Sequence, residues 1–253
     1  MNQTSDPIYT PENVPLFEVI YGKNLISLGG VDAINNMLSD VDLKGLKALD
    51  IGFGLGGVAF YLAKKYQIEI AGIEIHSWMV EYANAHAPKN VSHLLKFATY
   101  NKAGEIPFEI ASFNLAYSKG VLNHVRDKDG LFREINKVLK TNGLFVIADW
   151  IYTESNATDD SSPLVKETQE TYRRVLEKTG FIDIDFRDDS KIFLDYVKKL
   201  LENITKRREF IEKEFSEEIF SEIWQDHQKL INDISYKRKF AIRIKARKIS
   251  NGQ

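Results

Sequence analysis

Leu49-Asp50-Ile51-Gly52-Phe53-Gly54-Leu55-Gly56-Gly57 decides the fold, together with Glu74 after the next apolar run. The apolar stretch from Lys47 to Ile51 predicts a buried strand, the glycines a sharp turn, and Gly56 to Tyr66 a helix. Gly52, Gly54 and Gly56 lack a Cβ, so the backbone can turn tightly and let a ligand approach closely. A second apolar run, Ile68 to Ile75, predicts another strand with Glu74 at its carboxyl end. There a carboxylate can accept hydrogen bonds from two ribose hydroxyls, as in nucleotide-binding βαβ units. The pattern predicts a site for an adenosine-containing cofactor.

Two details argue against a dinucleotide. The glycine spacing is G-x-G-x-G-G rather than the G-x-G-x-x-G that seats a pyrophosphate on a helix N-terminus. Asp50 stands immediately before the loop, where a carboxylate repels a pyrophosphate and attracts an ammonium. A cofactor with an amino-acid moiety and no phosphate fits that electrostatics, and S-adenosylmethionine is the common one. The plain alternative is a structural glycine turn, which leaves Asp50 and Glu74 without a role.

Composition sets the outer bounds. The chain has 253 residues, enough for one large domain with an elaborated lid. It is 43% hydrophobic and 28% charged, and its net charge of −2 gives no case for nucleic acid or an anionic membrane. The absence of cysteine excludes disulfides, thiolate metal sites and cysteine nucleophiles. His86, His93 and His227 lack metal-ligand spacing, so no metal is expected. The apolar runs are too short to span a bilayer and Met1 to Pro11 carries no signal-peptide core. A cytoplasmic monomer or weak homodimer is the expectation.

Strand and helix patterns alternate from Lys47 to about Arg187, which predicts an α/β fold with a doubly wound, mostly parallel, Rossmann-like sheet of seven strands. A helix is expected near Ser77 to Ala87 and strands near Ser92 to Phe97 and Phe113 to Tyr117. A helix from about Lys128 to Leu139 should stop at Asn142-Gly143, with a strand over Leu144 to Trp150. Ser161 to Thr179 reads as a helix, Phe181 to Phe186 as a strand and Thr153 to Ser162 as a surface loop. The alternation over Lys239 to Lys248 reads as an edge strand. Between the last two strands, 189–235 repeats apolar residues at helical spacing and reads as a helical lid. The expected organisation is an N-terminal helical cap over 1–45, a cofactor-binding core over 46–188 and 236–253, and the lid inserted before the last strand.

These motifs together resemble class I S-adenosylmethionine-dependent methyltransferases. Phe17 to Gly30, Tyr9 upstream of it, and Tyr117-Ser118-Lys119-Gly120-Val121-Leu122-Asn123-His124 are most similar to phosphoethanolamine N-methyltransferases. The resemblance implies that Ile26 and Ser27 line the cofactor pocket, that Asp50 and Gly52, with Gly54, hold the methionine moiety, and that Lys119 lies at the cofactor. It further implies that Glu74 takes the ribose, that Ile75 packs on adenine, and that Tyr100 and Asn101 stand at the adenine amino group. It assigns Tyr9 and His124 to a dyad closing over a substrate amine. Methyl transfer needs an unprotonated nucleophile held in line, a task for a histidine that accepts a proton and a tyrosine that orients the amine. The sequence departs from the family pattern at Gly120, where those enzymes carry an acid, and after Trp150, where their phosphate-binding tyrosines and arginine find no clear match.

Other readings stay open. His124 can be a polar residue opening a helix, Tyr9 a loop aromatic, Trp150 either a wall of the substrate pocket or a core residue, and His76 either an adenine neighbour or an exposed side chain. The expected reaction is methylation of a small molecule, at an amine nitrogen or, as the alternative, at a hydroxyl. A non-catalytic cofactor-binding module and a nicotinamide-dependent oxidoreductase are the competitors.

Overall fold

A computed structural model describes residues 8–101, 104–155 and 164–249 of the chain. The N-terminal part forms helices α1 (Val14–Tyr21) and α2 (Gly30–Met37). The core then alternates β1 (Lys47–Ile51), α3 (Gly57–Tyr66), β2 (Glu69–Glu74), α4 (Ser77–His86), β3 (Leu95–Thr99), β4 (Phe113–Lys119), α5 (Lys128–Val138) and β5 (Leu139–Tyr152). It closes with α6 (Gln169–Lys178), β6 (Phe181–Asp188), helices α7 (Ser190–Lys206), α8 (Arg208–Glu214) and α9 (Glu217–Ser235), and β7 (Lys239–Lys248).

The seven strands form one sheet in the order β3-β2-β1-β4-β5-β7-β6. β1 to β5 pair in parallel, while β7 runs antiparallel to β5 and β6. This is the doubly wound, mostly parallel sheet that the sequence predicts. Parallel strands buried on both faces read as continuous apolar runs, which is why Ala48, Leu49 and Ile51 flank only one charge. One core face joins Leu49, Ile51, Phe145 and Ile244, and the other joins Ala48, Leu62, Ile70 and Val146. A third, smaller core sits off the sheet, where Leu16 and Ile20 of α1 meet Leu200, Ile204, Ile211 and Phe220 from α7 to α9. The N-terminal cap and the helical insertion therefore share packing.

The register brings the site-forming residues to one edge. Asp50 stands beside Gly72 on one side and Tyr117 on the other. Glu74 pairs with Thr99 at the end of β2, and Tyr152 pairs with Lys239 where β7 begins.

Four expectations are corrected. The tail strand β7 is interior, and β6 holds the edge. Its alternation misleads because Arg243, which reads as solvent-facing, is 1% exposed and ion-paired with Asp40. Asn142-Gly143 does not terminate α5, which ends at Val138. These residues lie inside β5, where the register against β4 shifts between Phe113 and Leu115 and Asn142 adopts a left-handed φ of 62°. Ser92–Leu94 is a 3₁₀ turn, so the third strand starts at Leu95. Helix α6 starts at Gln169, because Thr168 and Thr171 form a capping box. The remainder of that predicted helix over 161–163, the loop over 156–162 and the N-terminal residues 1–7 lie outside the described residues.

Arg243 fastens the cap to the sheet. Its Nε donates to the Met37 carbonyl at 3.1 Å, its guanidinium pairs with Asp40, and Asp185 lies at 3.7 Å. Arg243 is 1% exposed whereas Asp40 and Asp185 are 43% and 63% exposed, so truncating the arginine empties a buried volume and leaves the two carboxylates in contact with water. Arg243→Ala should therefore lower the unfolding free energy by about 2–5 kcal/mol with an unchanged urea slope, and Arg243→Met, which refills the space, should recover most of it. Equal losses in the two variants would sink the packing account and assign the loss to the charge pairing with Asp40.

Candidate active site

In open α/β sheets, ligands bind beyond the carboxyl ends of the strands, and there the glycine loop leaves β1. Gly52 and Gly54 have φ of 72° and 58°, a left-handed region that disfavours side chains. A Cβ on Gly52 would lie 2.6 Å from Val121, and one on Gly54 would lie 2.6 Å from Ile26. Ile26 and Val121 thus press on the loop from the cap side and the β4 side. At Gly57, the first residue of α3, a Cβ would strike the Asn24 carbonyl. That carbonyl instead accepts from the Gly57 amide at 3.0 Å. The first amide of the helix, one of those on which a pyrophosphate would dock, is thereby taken by the chain's own backbone.

Two carboxylates face the loop. Asp50 is 4% exposed and accepts from the Tyr117 hydroxyl at 2.9 Å. Burial pushes its carboxyl up to about 7 against the pull of Tyr117; nearby Glu74 raises it further and Lys119 draws it down. Glu74 accepts from the Gly54 amide at 3.2 Å and from the Ile75 and His76 amides at 2.7 and 3.3 Å. Lys119, at the end of β4, reaches the cap: its Nζ donates to the Ser27 hydroxyl at 2.6 Å and the Leu28 carbonyl at 3.0 Å. Burial lowers the Lys119 ammonium to about 8, partly opposed by Asp50. Ile75 is 38% exposed at the rim. Tyr100 donates its amide to the Glu74 carbonyl at 2.7 Å, but its ring packs into the core beside Leu49 and Ile73. Asn101 is exposed and its carbonyl accepts from the Gly104 amide.

Tyr9 and His124 meet here, with ring centroids 6.1 Å apart at 76°. The turn bearing Tyr9 is shaped by Asn13, whose Nδ2 donates to the Ile8 carbonyl at 2.8 Å, and Tyr9 rests on Phe17 at 6.0 Å. The turn bearing His124 is held by its neighbour Asn123. Asn123 donates its amide to Asp149 at 3.2 Å and its side chain to the Trp150 and Val165 carbonyls at 3.2 and 2.9 Å. Burial raises the Asp149 carboxyl to about 6 in spite of these amides and of Lys128.

Beside that turn lies a cationic, aromatic wall, of which the sequence suggested only Trp150. Lys239 Nζ sits 4.5 Å from the Trp150 ring and 5.6 Å from the Tyr152 ring, and Lys166 Nζ lies 5.6 Å from Tyr152. Burial lowers the Lys239 ammonium, Asp149 and Asp233 raise it, and Lys229 and Lys166 add to the positive field. For the cations, the only sequence signal was the run of lysines spread over distant segments, which reads as solvated surface. Arg173 stacks on Phe186 instead, at 5.0 Å. A cleft of about 810 Å³ between Lys47, Glu69, Lys96 and Phe108 opens at the opposite, amino edge of the sheet and is separate from this site. Among the described residues, no group of three or more His, Cys, Asp or Glu could hold a metal ion, and no helix is long and apolar enough to cross a membrane.

The model of a methyltransferase-domain family matches residues 42–233, most of the chain. The chain belongs to that methyltransferase family. Within it, the methyltransferase is 34% identical to phosphoethanolamine N-methyltransferase of Plasmodium falciparum, over 89% of this chain and 87% of that protein. It is 27% identical to phosphoethanolamine N-methyltransferase of Triticum aestivum over 85% of its own length but only 44% of the wheat protein. The chain thus spans about half the length of its plant relatives. Its fold matches that of Haemonchus contortus phosphoethanolamine N-methyltransferase 2, solved with phosphomonomethylethanolamine and S-adenosylhomocysteine. The TM-score is 0.86 at 24% identity, covering 97% of this chain and 59% of that one.

Asp50 supplies a test of the methyltransferase's loop electrostatics. Its folded value near 7 exceeds the usual aspartate value near 3.9, so the folded state holds a proton that the unfolded state releases. Stability therefore falls as pH rises from about 4 to 7, and above 7 the buried charge imposes its full cost. Asp50→Asn should raise the unfolding free energy more at pH 8 than at pH 5, by a difference on the order of a few kcal/mol, read from urea melts at the two pH values. A gain that is the same at both pH values would show that Asp50 titrates normally.

Proposed function

We propose that this chain is an S-adenosylmethionine-dependent N-methyltransferase of a small amine that carries a phosphate group. The observation that supports the reading most directly is the adjacency of two features at one sheet edge: the Tyr9–His124 ring contact and the Lys239–Trp150–Tyr152 wall. An acceptor with an amine at one end and an anion at the other fits both.

The residues present fit the cofactor. Gly52 and Gly54 hold left-handed φ and let Val121 and Ile26 close on the loop, which fixes its backbone where a ligand can approach it. Glu74 has the acceptor oxygens for a ribose, and Asp50 can hold an ammonium, which would draw its carboxyl into the charged form. Lys119 and Ser27 stand where a carboxylate can be met. Ile75, Tyr100 and Asn101 border the adenine side in this reading. When bound, S-adenosylmethionine supplies an electrophilic methyl group.

The chain's own groups do the rest. His124 accepts the proton that the acceptor ammonium must lose before its nitrogen can attack. The Tyr9 hydroxyl orients the amine, and its ring, braced on Phe17, covers the site from water. The lysine wall holds the anion through charge-assisted hydrogen bonds. Gly120, with no atom within 4 Å of the position a Cβ would take, leaves open space next to Lys119, so an already methylated nitrogen can be accommodated. The relatives' names, all phosphoethanolamine N-methyltransferases among those compared above, favour the same acceptor class.

The reading is tested by calorimetry with S-adenosylhomocysteine and by methyl transfer to phosphoethanolamine and to ethanolamine. Binding should be lost in Asp50→Ala and Glu74→Ala. His124→Ala should bind the cofactor within about threefold of wild type and lose roughly 10²- to 10⁴-fold in kcat. Lys239→Ala should raise KM for phosphoethanolamine about tenfold or more and leave ethanolamine unaffected. No binding of either cofactor form would end the methyl-transfer reading. Preference for ethanolamine would leave the reaction standing and remove the phosphate.

A further inference from the structure

We propose that His76 is a positioning residue: its ring is the second wall of a clasp that, with His124, holds Tyr9 over the reacting centre. This rests on the methyl-transfer reading for what the clasp covers, but the clasp itself is a matter of geometry. The Tyr9 ring centroid is 6.1 Å from His76 at 42° and 6.1 Å from His124 at 76°. Tyr9 thus packs with two imidazoles delivered by different elements, one from the β2–α4 junction and one from the turn after β4. Phe17 closes a third side at 6.0 Å.

The backbone under His76 is fixed at both ends. Its amide donates to Glu74 Oε1 at 3.3 Å, and its carbonyl accepts from the Met79 amide at 3.0 Å as it caps α4. Its ring is half-buried rather than solvated. The carboxylate offered to the ribose and the ring that holds Tyr9 are therefore two residues apart on one braced turn. A ligand that engages Glu74 acts on the hydrogen bond that sets the His76 backbone. Occupation of the cofactor site thereby sets the clasp that closes over the acceptor. Such coupling is reciprocal, so a bound acceptor tightens the cofactor by the factor with which the cofactor tightens the acceptor.

The contact between His76 and Tyr9 is one of ring with ring, so the test separates ring from charge and from hydrogen bonding. Ring pairs of this kind contribute an amount equivalent to roughly three- to tenfold in binding. Three variants, His76→Ala, His76→Gln and His76→Phe, are assayed with S-adenosylmethionine and phosphoethanolamine. In parallel, 3-fluorotyrosine is incorporated, and the Tyr9 fluorine resonance is assigned by comparison with Tyr9→Phe. His76→Ala and His76→Gln should raise the acceptor KM roughly three- to tenfold and change kcat less than about twofold. Their affinity for S-adenosylhomocysteine alone should stay within about twofold. His76→Phe should restore KM and the wild-type fluorine shift, which the other two lose. A His76→Gln variant that keeps the wild-type KM and fluorine shift would overturn the clasp, as would a His76→Phe variant no better than His76→Gln. The fluorine measurement needs no turnover. It reads the clasp even where wild-type protein methylates neither amine, a result that would count against the reaction alone.

Discussion

The approach of the Asn24 carbonyl to the first turn of α3 is the constraint on which the site depends. Helix N-termini carry unsatisfied amides and a positive dipole end, and they attract anions unless something fills them. Here the Gly57 amide is taken by Asn24, whose left-handed φ of 59° turns its carbonyl toward the helix. Gly57 must be glycine for that approach. The segment is further held by Glu18, which accepts from the Asn24 amide at 2.9 Å and from the Tyr82 hydroxyl at 3.2 Å. The cap is thereby threaded across the glycine loop, and Ile26 and Ser27 arrive over Gly54 and Lys119 as a consequence. A fold that often opens its first helix to phosphates is closed to them at this point, and its recognition passes to side chains.

Opposite signs of charge predominate among those side chains on the two flanks, with Lys119 the counter-charge at the loop. Asp50 and Glu74 give the loop a negative lining, which is costly to bury without a cation. Lys239, Lys229 and Lys166 give the far end of the sheet edge a positive lining, moderated by Asp149 and Asp233. The separation matters because like charges gathered at one place would neutralise each other's partners or shift their protonation. Kept apart by Tyr9 and His124, the two fields suit a cation at the loop and an anion at the lysine wall. Electrostatic preorganisation of this sort acts most strongly where rings exclude water.

The loop was legible in the sequence because its chemistry is local. Glycine spacing, Asp50 and Glu74 are all set by one βαβ unit, and the sheet that carries them follows from apolar runs bounded by turns. Tyr9 and His124 were legible only through resemblance, since nothing in spacing alone joins residues from the cap and from the turn after β4. The lysine wall was not legible at all. Lys166, Lys229 and Lys239 come from a loop, a helix and a strand, and each alone reads as solvated surface. The misread edge strand has the same root: Arg243 becomes an interior residue only because Asp40, far away in the chain, pairs with it. Long-range pairing of charges is the property that periodicity cannot see.

The sharing of one small core by α1 and the inserted helices bears on how such a site opens. Leu16 and Ile20 pack with Leu200, Ile204, Ile211 and Phe220, and Arg207 donates to the Val19 carbonyl at 2.9 Å. A hinge between α1 and α7 would have to break this apolar contact, which is unfavourable in proportion to the area exposed. The same helix is tied to α4 through Glu18 and Tyr82. Cap and insertion therefore behave as one lining, and α1 is a fixed post rather than a moving flap. The turn in front of it is held differently. Tyr9 rests there on three rings and on short hydrogen bonds between Ile8, Thr10 and Asn13. Such contacts cost far less to break than a packed helix face, so on the proposed reading the Tyr9 turn, and not α1, is the element that would yield to admit an acceptor.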